Sequence, residues 1–322
     1  MIPQARQYNI PIYISDNAST DHTLKVLESF QKKYPLLYFK SNKENLGIDQ
    51  NMINVASMAS SKYIWVIGAR RIILPGMLDK IYNILEKADW DMVVLNDPTP
   101  VFKVPKTQRY TSAKRVFLEL SRNLTGLGFE ILPAEAWKSE ILPKYAGTDW
   151  TILGLSLDYI AHKKNLNVFF LADPAATDSG KSKWIPRCFK VWMDLKKVIR
   201  CLPEVYSAAD KERVIKYLAN AVFVSKFNIM TMRRSLSLVA LRSEGVYNAE
   251  VFDNLREDLI QYAGYSPTLA YAIAKLPSSP IKLFFHVYDA VGGMARLFIH
   301  SRAKPINPWS MGNIPYLCEE PL

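Results

Sequence analysis

Apolar positions between residues 10 and 76 fall into three short runs, and helical patterns divide them. Ile10, Ile12 and Ile14 alternate with Pro11 and Tyr13, which predicts a first strand. Pro11 has no ladder donor, so it belongs at the beginning of that strand. The turn DNASTD follows, then Leu24, Leu27 and Phe30 at helical spacing. LLYFK reads as a second strand and SNKENLGIDQN as a second turn. Met52, Val55, Ala56 and Ala59 mark a second helix, and Tyr63 to Ile67 a third strand. After GARRIILPG, the pair Pro75 and Gly76 sets a turn into a helix bearing Met77, Leu78, Ile81 and Leu85. Strands alternating with helices predict an α/β fold with a mostly parallel sheet, whose ligands sit at the carboxyl ends of the strands.

Farther along, DMVVL at 91–95 predicts a strand, and residues 97 to 109 a proline-punctuated loop. Residues 112 to 122 read as a helix and FEIL as a strand. GTDW opens a helix carrying Ile152, Leu155, Leu157 and Tyr159, and NVFFL closes that unit as a strand. From about Ser179 the pattern turns helical through residue 302. The expected division is therefore an α/β domain over 1–178 and a helical C-terminal region over 179–322. Trp184, Phe189, Val191, Trp192 and Leu195 alternate with Lys190, Lys196, Lys197 and Arg200, giving a basic amphipathic face. Ile281 to Arg302 forms a last candidate helix with basic ends. Such faces lie on anionic membrane surfaces or pack on other helices with their lysines outside, and both readings stand.

Composition narrows the class. With 49% hydrophobic and 22% charged residues the chain is expected to fold. Its net charge of +11 favours anionic partners such as acidic lipid or a phosphorylated substrate, or else is a plain solvated surface. No nucleic-acid recognition motif accompanies that charge, so nucleic acid is not an expected partner. Cys188, Cys201 and Cys318 are odd in number and far apart, which argues against a disulfide framework or zinc site and fits a reducing, cytoplasmic compartment. His22, His162, His286 and His300 have no neighbour at zinc spacing. No secretory signal pattern opens the chain. The greasy stretch 281–299 is interrupted by Lys282, His286, Asp289 and Arg296, too polar for a spanning helix.

Candidate chemistry lies in the turns. A carboxylate at the end of a strand, such as Asp16, can accept from a base N–H or a ribose hydroxyl. Ser19 and Asp21 read as caps of the following helix. Gly47 either allows exposed amides at a helix N-terminus to meet a phosphate or is an ordinary loop-to-helix glycine. Asp149 opens a helix, where a cap is the commonest use of Asp.

The order SDNASTD, ENLGIDQN and YIWVIGxxxIILPGML resembles the nucleotide-sugar half of family 2 glycosyltransferases with the GT-A fold, especially the bacterial O-antigen and capsule type. The likeness is best over residues 10 to 90 and looser to about 172. It implies that Asp16 holds the nucleoside of a nucleotide-sugar donor, that Asn17 also binds the donor, and that Asn45 and Gly47 line the donor pocket. AGTDWTILG is similar to the family's ED-type motif, placing Asp149 on the catalytic base of an inverting transfer, with Thr148 in place of the first acid. The family pattern has a further strand before SDNAS, which is expected to be lacking here. It also holds Mg²⁺ or Mn²⁺ on an acidic DxD run, where this chain has Ala69, Arg70 and Arg71. Three readings stand for those residues: arginines replacing the cation on the donor diphosphate, an altered site, or surface residues. The resemblance further implies a glycan or lipid-linked acceptor and a peripheral place on the inner face of the plasma membrane. The alternative is a catalytically inactive relative with a binding or scaffolding role there.

Overall fold

A computed structural model of the chain describes residues 2–97, 104–178, 185–222, 237–285 and 287. Part of the loop expected at 97–109, most of the candidate helix at 281–302, Trp184, His286, His300 and Cys318 lie outside the described residues.

Helix α1 (Ile2–Gln7) leads into strand β1 (Ile12–Asp16), helix α2 (Thr23–Lys33), strand β2 (Leu37–Ser41) and helix α3 (Gly47–Ser57). Pro11 stands immediately before β1, where its missing N–H costs no ladder bond. Strands β1 and β2 pair in parallel from Ile12↔Leu37 to Asp16↔Ser41, as the crossover through α2 requires. Next come β3 (Tyr63–Trp65), β4 (Arg71–Ile73), α4 (Met77–Leu85), β5 (Met92–Asn96), β6 (Gln108–Tyr110) and α5 (Ala113–Leu120). The domain continues with β7 (Glu130–Pro133), α6 (Ala134–Trp137), α7 (Leu142–Tyr145), α8 (Thr151–Ala161), β8 (Val168–Pro174) and β9 (Ala176–Asp178). Helices α9 (Cys188–Arg200), α10 (Ala208–Val222), α11 (Leu238–Ser243), α12 (Ala249–Gln261) and α13 (Pro267–Lys275) complete the described elements.

The α/β class holds, with one correction. The central sheet has the order β3-β7-β5-β8-β6, and only β5 and β8 are parallel in it. Strand β7 runs against both β3 and β5, and β6 against β8. Repeated strand–helix units, the signature of parallel pairing, end near residue 65; β7 then enters from the opposite direction, so the sheet is mixed. A second finding is β4, which places Arg71 in a two-stranded antiparallel pair with β9.

Strand β5 is buried at every position, the expected state of a strand covered on both faces. Helix α4 presents Met77, Leu78, Ile81 and Ile84 to a core shared with Val93, Leu95, Phe129 and Ile131. Each such side chain contributes about 1.5–3 kcal/mol on burial. By contacts the chain forms two compact units, residues 1–223 with 261–264 and residues 224–260 with 265–322. The change to helix near residue 179 therefore falls inside the first unit, which includes α9.

Candidate functional site

Carboxyl ends of β1 and β2 carry a polar network. Asp16, only 4% exposed, accepts a hydrogen bond from Ser41 Oγ at 2.7 Å and lies 3.3 Å from the Ser19 N–H. Burial raises its pKa, but the hydrogen bonds from Ser19 and Ser41 outweigh that and leave it below the usual carboxylate value. Asn17 Nδ2 donates to Asn45 Oδ1 at 2.8 Å and to the Gly47 carbonyl at 3.2 Å, while its Oδ1 accepts from Leu46 N–H at 2.9 Å. Asn45 Oδ1 also accepts from Gly47 N–H at 3.0 Å. Gly47 has φ +79°, and a Cβ there would meet nothing within 4 Å. Backbone angle rather than crowding is thus what favours glycine. Asn51, from the next turn of α3, ties Ser15 and Asn42 into the same network.

Helix α3 then connects this network to Asp149. Asp49, in its first turn, accepts the Asp149 N–H at 2.8 Å through Oδ2, across 100 residues of chain. Asp149 itself is left-handed, φ +60°, and follows Gly147 at φ +81°. Its side chain does not cap α8: the N-cap residue is Trp150, without a side-chain bond, and Asp149 Oδ2 lies instead 2.6 Å from Arg187 and 3.4 Å from Lys190. Lys190 also donates to Asp194. Its pKa is held above the usual value, first by that Asp194 bond, against partial desolvation, and then by the Asp149 charge.

Asp16, Asn17, Asn45, Gly47 and Asp149 are therefore joined through α3. Arg71 is outside that hydrogen-bond network: its Nε donates to the Leu127 carbonyl at 3.2 Å and its guanidinium lies 4.6 Å from the Phe129 ring centroid. Arg70 is half-buried in the turn before β4. Sequence reasoning missed Asp49 and Arg187 and took Lys190 only for part of a basic face. No local pattern marks them, because their partner is distant in the chain. For Ser19 and Asp21 the capping role is split. Asp21 Oδ1 accepts the Thr23 N–H at 2.9 Å at the start of α2, whereas the Ser19 N–H points to Asp16.

Residues 3–134 match the model described as glycosyl transferase family 2. That stretch resembles the family 2 glycosyltransferases. Over 104 residues, 32% of this chain, it is 31% identical to an uncharacterized glycosyltransferase of Mycoplasma pneumoniae. An abequosyltransferase of Salmonella typhimurium is 40% identical over 63 residues, 19% of this chain. The matches span 34% and 19% of those relatives' own lengths. S. aureus TarS in complex with UDP-GlcNAc is similar with a TM-score of 0.49 at 16% identity, over 81% of this chain and 80% of that one. A mannosyltransferase of Pyrobaculum calidifontis in complex with GDP-Man and Mn²⁺ gives 0.42 at 12% identity, over 66% and 61%.

The matched region does not present a fit for that family's divalent cation at the expected place. Mg²⁺ and Mn²⁺ require hard oxygen ligands, and Ala69, Arg70 and Arg71 offer none. Among the described residues no group of three or more His, Cys, Asp or Glu side chains is arranged to hold a metal ion.

Proposed function

We propose that this protein is an inverting glycosyltransferase that moves a sugar from a nucleotide donor to a hydroxyl of a glycan or lipid-linked acceptor in surface polysaccharide synthesis. The acceptor oxygen attacks the anomeric carbon, its proton passes to the Asp149 carboxylate, and the bond from that carbon to the diphosphate oxygen breaks, releasing a nucleoside diphosphate. Asp16 and Asn17 serve the nucleoside end, Asn45 and Gly47 line the donor pocket, and Arg70 or Arg71 faces the diphosphate. The observation that carries this reading is the 2.8 Å bond between Asp49 and the Asp149 N–H, which ties the base to the helix that begins at the donor-side turn. Likeness to an abequosyltransferase over 63 residues supports the surface-polysaccharide assignment. Among the described residues no helix is long and apolar enough to cross a membrane, and a peripheral position on the inner face of the plasma membrane is part of the proposal.

The test is a panel of nucleotide sugars, scored by melting-temperature shift and by release of nucleoside diphosphate, with Asp149→Asn beside the wild type. Loss of a general base costs about 10²–10⁴-fold in rate. Asp149→Asn should lose turnover on that scale and remain folded; full turnover by the variant refutes the assignment. The second reading, a catalytically inactive relative that binds glycan or partner enzymes at the membrane, is favoured by the Arg187 contact on Asp149 Oδ2 and by the missing acidic run. It predicts no shift with any nucleotide sugar.

A further inference from the structure

Asp49 is a buried carboxyl whose position has no local explanation. An acid in the first turn of a helix is favoured by the exposed N–H groups there, and it gains that benefit while facing water. Asp49 is instead 7% exposed, and its Oδ1 is buried without a hydrogen-bond partner. Burying a carboxyl this way is costly, so a compensating contact is required. That contact is the Asp149 N–H, and Thr151, the first residue of α8, lies against the same carboxyl.

Helix α8 needs such a partner. Its own N-cap residue supplies no side-chain bond, and its opening N–H groups require acceptors. The preceding turn also holds a non-glycine residue, Asp149, at φ +60°, a conformation costing about 1–2 kcal/mol. Thr148 Oγ1 donates to the Tyr145 carbonyl at 2.6 Å, and Trp150 Nε1 to the Val191 carbonyl at 2.7 Å, so the turn is pinned on both flanks. Asp49 pins its centre. Because the Asp149 backbone is left-handed, its carboxylate points away from α8 toward Arg187 and Lys190, where a cap would have pointed along the helix.

We propose that Asp49 is a positioning residue for Asp149: reaching from the first turn of α3, it caps α8 in trans and fixes the direction of the Asp149 carboxylate relative to the Asn17–Asn45–Gly47 turn. This rests on Asp149 being the base. Asp49 touches no substrate; it acts through the backbone of its neighbour. One helix thereby serves both ends of the reaction, with the donor turn at its start and the anchor of the base one residue beyond Ile48.

The experiment compares the wild type, Asp49→Ala and Asp49→Asn by steady-state kinetics with whichever nucleotide sugar the wild type turns over, and by hydrogen exchange at the Asp149 amide. Asn keeps an oxygen that accepts the N–H; Ala does not. Asp49→Ala should lower kcat at least about tenfold with donor KM within about twofold, the mark of misplacement rather than weakened binding. It should also lose exchange protection at Asp149, and Asp49→Asn should restore both. Unchanged kcat in Asp49→Ala, a rise in KM alone, or a loss that Asn does not rescue overturns the proposal while leaving Asp149 as base intact. A wild type that turns over no nucleotide sugar overturns both. If Asp49→Ala fails to fold, Asp49→Ser, whose oxygen falls short of the Asp149 N–H, takes its place with the same outcomes.

Discussion

Glu130 opens β7, fully buried, and neither carboxyl oxygen has a hydrogen-bond partner. Burial pushes its pKa well up; the Phe129 and Glu130 backbone N–H groups and the Arg71 charge oppose this only in part. A carboxyl whose folded pKa exceeds its unfolded value binds its proton more tightly when folded. Its contribution to stability is therefore complete below the unfolded pKa and is lost as pH rises through the folded one. Glu130→Gln removes that titration, so the variant should gain on the wild type as pH rises from about 4 to 8, read as urea midpoints at each pH. A difference that stays flat with pH would contradict the buried neutral acid. Arg71 gives a second expectation at this scale. Replacing it by Ala removes a bond to the Leu127 carbonyl and a stacked contact on Phe129, and should destabilise the fold by about 1–2 kcal/mol. If the arginines face the diphosphate, turnover should also survive a chelator and fail in the Arg70→Ala, Arg71→Ala double variant. Turnover that stops on adding chelator would show that a cation is required after all.

At the scale of elements, α8 shows how closely the base-bearing turn is packed. All residues from Thr151 to Ile160 are buried, so this helix is covered on every side rather than along one stripe. Gly154 lets it lie against Tyr145: a Cβ there would stand 2.3 Å from that ring. Tyr145 is not free to yield, since it is buried and its hydroxyl donates to Asp158 at 2.6 Å. Gly→Ala in a helix interior is ordinarily favourable by about 0.5–1 kcal/mol. Gly154→Ala should reverse that sign and cost about 1–3 kcal/mol of overpacking, measured by chemical denaturation. A stabilised variant would mean that α7 and α8 can separate. Sequence periodicity located α8 and its apolar character. Its close seat against Tyr145 is a matter of packing that no count of apolar residues contains.

For the whole molecule, a charge of +11 is the property most exposed to experiment. Leu283, Phe284 and Val287 are exposed on the second compact unit, beside Lys282. If the protein works at an anionic membrane, it should bind vesicles containing acidic lipid and release as salt rises, and Leu283→Glu with Phe284→Glu should weaken binding. Equal binding to neutral vesicles would remove charge from the account. The sequence by itself determined the alternation of strand and helix through residue 65, the placement of Pro11 and Gly47, and the likeness to a glycosyltransferase family. Those features arise from neighbours in the chain, through side-chain alternation, backbone angle and turn chemistry. Tertiary structure alone decided the rest: the antiparallel entry of β7, the pairing of Arg71 with a distant strand, and the meeting of Asp149 with Asp49 and Arg187. Such contacts join residues tens to a hundred positions apart, and a single acid or arginine carries no periodic signal of which distant partner it will meet.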